Sequence, residues 1–263
     1  MYLPSAGVCI AAAVAIERWL IASPSRRRAG VAVCAAIVVA ASVRTIARNR
    51  DWRDETALWS SAVAVAPASA RVQSEYARIL LARAEQASAA GRTADAERLY
   101  GDAKAHFETA VAIYPAYSLA LDGLAMIASE HDRVDEAKAL YARALKAWPG
   151  NYASLANWAS LVWDESQRTR AQAMQFRAEG KIADAEALAH RADAGFQEAS
   201  GKIDRAVAMR PSYAHAHLVR AMILDSGGDV SGAIAEFQDV LRLDPNHPQR
   251  ALIERELQRL QGR

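Results

Sequence analysis

Residues 130–149, EHDRVDEAKALYARALKAWP, carry a pattern that recurs along most of the chain. A turn residue, Asp132, is followed five positions later by Ala137, and an alanine-rich segment then ends at Pro149. The same order appears at Gly91, Ala96 and Pro115, at Gly180, Ala185 and Pro211, and at Gly228, Ala233 and Pro245. Pro67 closes one further segment of this kind, AVAVAP. Proline lacks an amide donor and pushes the residue before it out of helical geometry, so each of these prolines marks a helix end. Glycine or aspartate at mid-unit marks a turn between two helices.

The spacings define the architecture. The step from Pro115 to Pro149 is 34, as is the step from Pro211 to Pro245, and this is the tetratricopeptide period. The other two steps are longer, 48 from Pro67 to Pro115 and 62 from Pro149 to Pro211. From proline to turn the count is 17 in the two short units, and 24 and 31 in the long ones; from turn to proline it is 17, 24 and 31 again. The surplus is therefore seven or fourteen in each helix of a pair. Seven residues are about two helical turns, which returns the apolar stripe to nearly the same side. The expected fold is all-α, a tetratricopeptide α-solenoid with two heptad-extended helix pairs.

Small residues fit this register. Ala77, Ala125, Ala159 and Ala221 fall where the first helix of each pair packs closely, and Ala110, Ala144 and Ala206 at the matching second-helix position, with Val240 departing. Phe107, Tyr141, Ile203 and Phe237 fill the large second-helix slot. His217 and Arg220 stand where large apolar residues are common, which predicts a looser last repeat. The segment from Pro248 to Gln261 has the polar character of the capping helix such arrays need.

Composition agrees and excludes some functions. Of 263 residues, 52% are hydrophobic but only 7% aromatic, so alanine carries much of the apolar content and helices are favoured. A net charge of +2, with no concentrated basic face after residue 53, gives no footing for a nucleic-acid partner. Five of the 32 basic residues are lysines, a bias typical of GC-rich bacterial coding sequence. Cys9 and Cys34 both lie in the apolar N-terminal segments, which leaves the body without a disulfide or a cysteine-based metal site.

Two apolar stretches, 6–16 and 29–43, flank Arg26, Arg27 and Arg28. Each is marginal against the roughly 20 residues of a bilayer span. One reading is a helical hairpin with its basic turn in the cytoplasm, which places everything after Arg44 across the membrane. The other is a single anchor or signal built on residues 26–43. Trp52 and Trp59 suit aromatic anchors at the membrane boundary, with Arg44, Arg48 and Arg50 reaching headgroups; the Asp51-Trp52 pair also suits a sugar or lipid contact. A helix before Pro67, capped by Asp51 or Asp54, would join this anchor to the array.

Tyr2, Leu3, Pro4 and Ser5 ahead of a membrane helix, then Arg44, Thr45, Arg48, Asn49, Asp51 and Trp52 ahead of the repeats, make a specific order. It resembles the membrane-to-repeat junction of the transmembrane, tetratricopeptide-containing O-mannosyltransferase-like proteins, over roughly positions 1–75. In that family of GT-C-type glycosyltransferases the acidic catalytic residues lie in loops between earlier membrane helices. The resemblance therefore implies the non-catalytic C-terminal part of a longer parent, with Met1 a truncation point or a mis-assigned start.

No catalytic constellation, metal site or cofactor motif is expected. His215 and His217, two apart, point about 200° from one another on a helix. Carboxylates recur with basic residues at helical spacing, as in DEAK and DAER, the mark of a solvated face. The family register assigns Arg71, Arg78, Asp122, Met126, Trp163, His215, Met222 and Asp225 to the concave groove, a surface of mixed charge without a repeated Lys/Asn clamp for a C-terminal carboxylate. The expected organisation is an anchor at 1–50, a junction helix at 51–69, four helix pairs at 70–247 and a capping helix at 248–263. The expected function is a membrane-anchored module in the bacterial inner membrane, its array in the periplasm, binding protein or peptide ligands in the groove and lipids at the anchor. The alternatives are an envelope scaffold unrelated to sugar transfer, or an enzymatic role that needs a catalytic part upstream or encoded separately.

Overall fold

The structure, a computed structural model, describes residues 11, 13–15, 17, 18, 24–49 and 52–262. It divides into two compact units, Met1–Ala64 and Val65–Arg263. In the first lies α1, Pro24–Asn49; α2, Glu55–Val65, ends at the boundary. Within α1, Arg28–Ala47 is long and apolar enough to cross a membrane, and Val31, Ile37, Val38 and Val39 are exposed along it. It is the one such helix among the described residues. Residues 11 and 13–15 of the earlier apolar stretch are helical, as are Glu17 and Arg18 just after it. The Tyr2–Ser5 motif, Arg50 and Asp51 lie outside the described residues, as does the rest of that stretch. Asp54 caps α2, its Oδ1 accepting the Ala57 N–H at 2.8 Å.

The second unit is four antiparallel helix pairs and a final helix. The pairs are α3 (Ala70–Ala89) with α4 (Thr93–Ile113), α5 (Ser118–Glu130) with α6 (Val134–Ala147), α7 (Tyr152–Ala178) with α8 (Ile182–Met209), and α9 (Ala214–Ser226) with α10 (Val230–Leu243). Helix α11 (Arg250–Gln261) packs on α10. Helix lengths follow the heptad rule: 13 and 14 residues in the α5/α6 and α9/α10 pairs, 20 and 21 in α3/α4, 27 and 28 in α7/α8.

A ladder of buried alanines explains why whole heptads are the unit of growth. Helix α6 buries Ala137 and Ala144, α4 buries Ala96, Ala103 and Ala110, and α8 buries Ala185, Ala192, Ala199 and Ala206, each seven residues from the last. In α10 the rungs are Ala233 and Val240. An alanine at every second turn lets the paired helix approach closely along its whole length, and an insertion of one or two residues would rotate the rungs out of the seam. The approach is close at Gly195 of α8, where an added Cβ would collide with Ser166 Oγ. Gly123 of α5 similarly admits the Phe107 ring into the space a Cβ would take.

The turns repeat as closely. Gly91, Asp132, Gly180 and Gly228 all have positive φ, from 58° to 84°. In each, the next residue's amide reaches back to the carbonyl five residues earlier, Arg92 to Ala87, Arg133 to Ala128, Lys181 to Phe176 and Asp229 to Leu224. This Schellman closure satisfies orphan carbonyls at the first helix's end. At the other end, Tyr114, Trp148, Arg210 and Asp244, each followed by proline, take extended or near-extended φ, −134° to −142°.

The last repeat is not loose where His217 and Arg220 depart from the pattern. His217 is buried, its Nε2 donating to the Pro211 carbonyl at 2.9 Å and its Nδ1 2.7 Å from Glu236 Oε2. Arg220 bridges Glu236 of α10 and Asp204 of α8 at 3.3 and 3.1 Å. Polar contacts between three helices stand in for apolar packing, and both ring nitrogens of His217 have a partner.

Candidate functional site

The first helices α3, α5, α7 and α9 touch in succession and form one continuous face. Two hollows lie along it. One, of about 450 Å³, is lined by Arg78, Asp122, Met126 and His215 among others; the next, of about 390 Å³, by Trp163, His215, Met222 and Asp225. Seven of the eight residues expected in the groove therefore line these hollows, with His215 at both. Arg71 is exposed and lines neither.

Asp122 is the most deeply set charge. Its Oδ1 accepts the Ser154 hydroxyl at 2.7 Å, and Ser154 N–H donates to Asn151 Oδ1 at 3.1 Å. Asn151 Nδ2 then donates to Ser118 Oγ at 3.0 Å, and Ser118 to the Ala144 carbonyl at 2.9 Å. This buried chain fixes α5 and α7 against the end of α6. Burial drives the Asp122 pKa up to about 6, although hydrogen bonds from Ser154 and Asn157 pull the other way. Burial also raises Glu85, with Glu130 adding like-charge repulsion, and raises Asp164, opposed by Arg168. The His215 pKa is lowered by burial and then by His247.

The sequence reading missed Glu85, Glu130 and Asp164, which share a hollow with Met126, Tyr100 and His215. A signal existed: Glu130 lies two turns beyond Asp122, and Glu85 and Asp164 lie one heptad beyond Arg78 and Asn157, on the same faces. The mixed charge also resolves in three dimensions. Arg78 pairs with Glu75 at 3.0 Å, and Arg259 of α11 pairs with Asp225 at 2.5 Å and Glu256 at 2.6 Å. Trp163 is held by its Nε1–H on Ser226 Oγ at 3.0 Å.

His215 and His217 diverge as their spacing requires, one into the groove and the other into the Glu236 cluster. Among the described residues no three His, Cys, Asp or Glu side chains gather as a metal site. Of the residues expected at a membrane boundary, Arg44 and Trp52 are exposed and Trp59 is half-buried, while the Arg48 side chain and Arg50 lie outside the described set.

Comparison with known proteins adds the following. The family model for the tetratricopeptide repeat matches residues 88–152 and 170–248. The protein O-mannosyl-transferase Tmtc2 of Drosophila melanogaster is 34% identical over 70 residues, covering 27% of this chain and 8% of that protein's length. The chain thus corresponds to a small fraction of that curated relative. Among solved structures, a thermophilic tetratricopeptide protein of Thermus thermophilus is similar with a TM-score of 0.50 at 20% identity, covering 70% of this chain and 80% of the other. Pseudomonas aeruginosa pilF gives 0.48 at 16% identity, covering 72% and 68%.

Proposed function

The chain belongs to the tetratricopeptide repeat family, and from that premise we propose that it is a membrane-anchored interaction module holding an extended segment of a protein partner in the groove of α3, α5, α7 and α9. The observation that carries this reading is the groove itself: a continuous first-helix face with apolar side chains such as Met126 and Trp163 set among charged ones. Concave surfaces that mix apolar and polar groups are where α-solenoids take their ligands.

The anchor is α1, with the apolar stretch before it as a second span, and Arg26–Arg28 in the cytoplasm. The length and apolar character of Arg28–Ala47 support it. On this reading the array stands outside the cytoplasm, in the periplasm of a bacterium, and the chain is the non-catalytic arm of a glycosyltransferase-like protein. The partial likeness to Tmtc2 supports that parentage, as do the YLPS and RTIARNRDW motifs. A second reading, an independent envelope scaffold, draws on the fact that this likeness reaches only 27% of the chain.

Site-specific photo-crosslinking tests the reading in bacterial cells expressing the full chain. A benzophenone amino acid at Met126 is expected to capture a partner in the membrane fraction, and one at exposed Glu186 of α8 is not. A Glu186→Cys chain lacking Cys9 and Cys34 is expected to react with an impermeant maleimide in unlysed cells. Equal capture at both positions contradicts the groove reading, and labelling only after lysis contradicts the orientation.

A further inference from the structure

The groove is far more acidic than the net charge of +2 suggests. Glu85 on α3, Asp122 and Glu130 on α5 and Asp164 on α7 line its adjoining hollows. None of the four lies in an ion pair with a lysine, arginine or histidine among the described residues, whereas the other groove acids, Glu75, Asp225 and Glu256, each have an arginine. Tyr100 of α4 is 3% exposed and borders the same hollow as Glu85 and Glu130; its hydroxyl is sealed from solvent and faces Glu130. Glu130 therefore has a neutral hydroxyl and the like charge of Glu85 as neighbours and, among the described residues, no paired cation.

We propose, building on the groove as a peptide-binding surface, that its occupant is an extended protein segment bearing lysine or arginine side chains, which pair with Glu85, Asp122, Glu130 and Asp164. Such a segment complements the charge of a partly desolvated channel. Like charges close together and partly buried oppose one another's ionisation, and a cation placed among them removes the repulsion. An acidic segment in the same place adds repulsion and is rejected. Leu81, Met126 and Trp163 give the segment's apolar side chains a floor between the carboxylates. Raised pKa values at Glu85, Asp122 and Asp164 fit a site whose charges are fully accommodated only when it is filled.

Selection of displayed random 12-residue peptides on the full chain in detergent micelles tests this. Enriched peptides are expected to be rich in Lys and Arg. A representative peptide is expected to bind the Glu85→Gln/Glu130→Gln chain about tenfold or more weakly, as loss of partly buried charge pairs implies. Binding is expected to fall with added salt and to be unchanged by Glu186→Gln on the outer face. Glutamine keeps the side-chain volume and removes repulsion, so the double variant is expected to fold, which circular dichroism checks. Neutral or acidic peptides that depend on Met126 and Trp163 would overturn the cationic inference and leave the groove reading standing. No enrichment, or peptides indifferent to every groove substitution, would overturn both.

Discussion

Asp122 shows what the groove asks of single residues. Its carboxyl is buried, tied to Ser154, and has a pKa raised to about 6, against roughly 3.9 in an unfolded chain. An acid whose pKa rises on folding favours the native state in its neutral form. That contribution is complete below about pH 4 and is lost as pH climbs through about 6. Asp122→Asn keeps an oxygen for Ser154 and removes the charge. It is therefore expected to raise stability at pH 7.5, by about 2 kcal/mol, and to leave it nearly unchanged at pH 4. Thermal melts of both chains at the two pH values check this; a lower melting temperature for the variant at pH 7.5 contradicts it. The sequence places Asp122 on the right face but gives no hint of its pKa. That shift depends on its burial and on Ser154 and Asn157, which come from another helix, α7.

At the scale of elements, the helix pair is set by local rules, which is why it is legible in the sequence. Prolines end the second helices, left-handed residues end the first, and alanines seven apart line the seam. Each rule is written within one helix or turn, so one sequence suffices to see it. Gly180 isolates the turn rule, because a Cβ built there meets no atom within 4 Å. Gly180→Ala is then expected to cost about 1 kcal/mol from backbone conformation alone, measured by denaturant unfolding at constant slope. No loss of stability would mean that the turn does not hold its φ of 78°. The last repeat is not legible in this way, because His217 and Arg220 read as packing faults when their partners are out of view. Those partners, Glu236 and Asp204, lie on other helices. The unpaired groove acids are hidden for the same reason, since the arginines that neutralise their neighbours are visible only once the helices are stacked.

For the whole molecule, the repeats make a surface that no pair has alone. Successive first helices supply the groove, and α11 closes the far end by burying Ile253 and Leu260 against Leu218 and Phe237 while Arg259 holds Asp225. The apolar α1 stands in a separate unit. The central claim is that ligand is held by the first helices. Amide hydrogen exchange on the full chain in detergent, with and without a saturating selected peptide, tests it most directly. Slowed exchange is expected in α3, α5, α7 and α9, strongest around Glu85, Asp122, Glu130 and Asp164; slowing confined to the second helices α4, α6, α8 and α10 would contradict it.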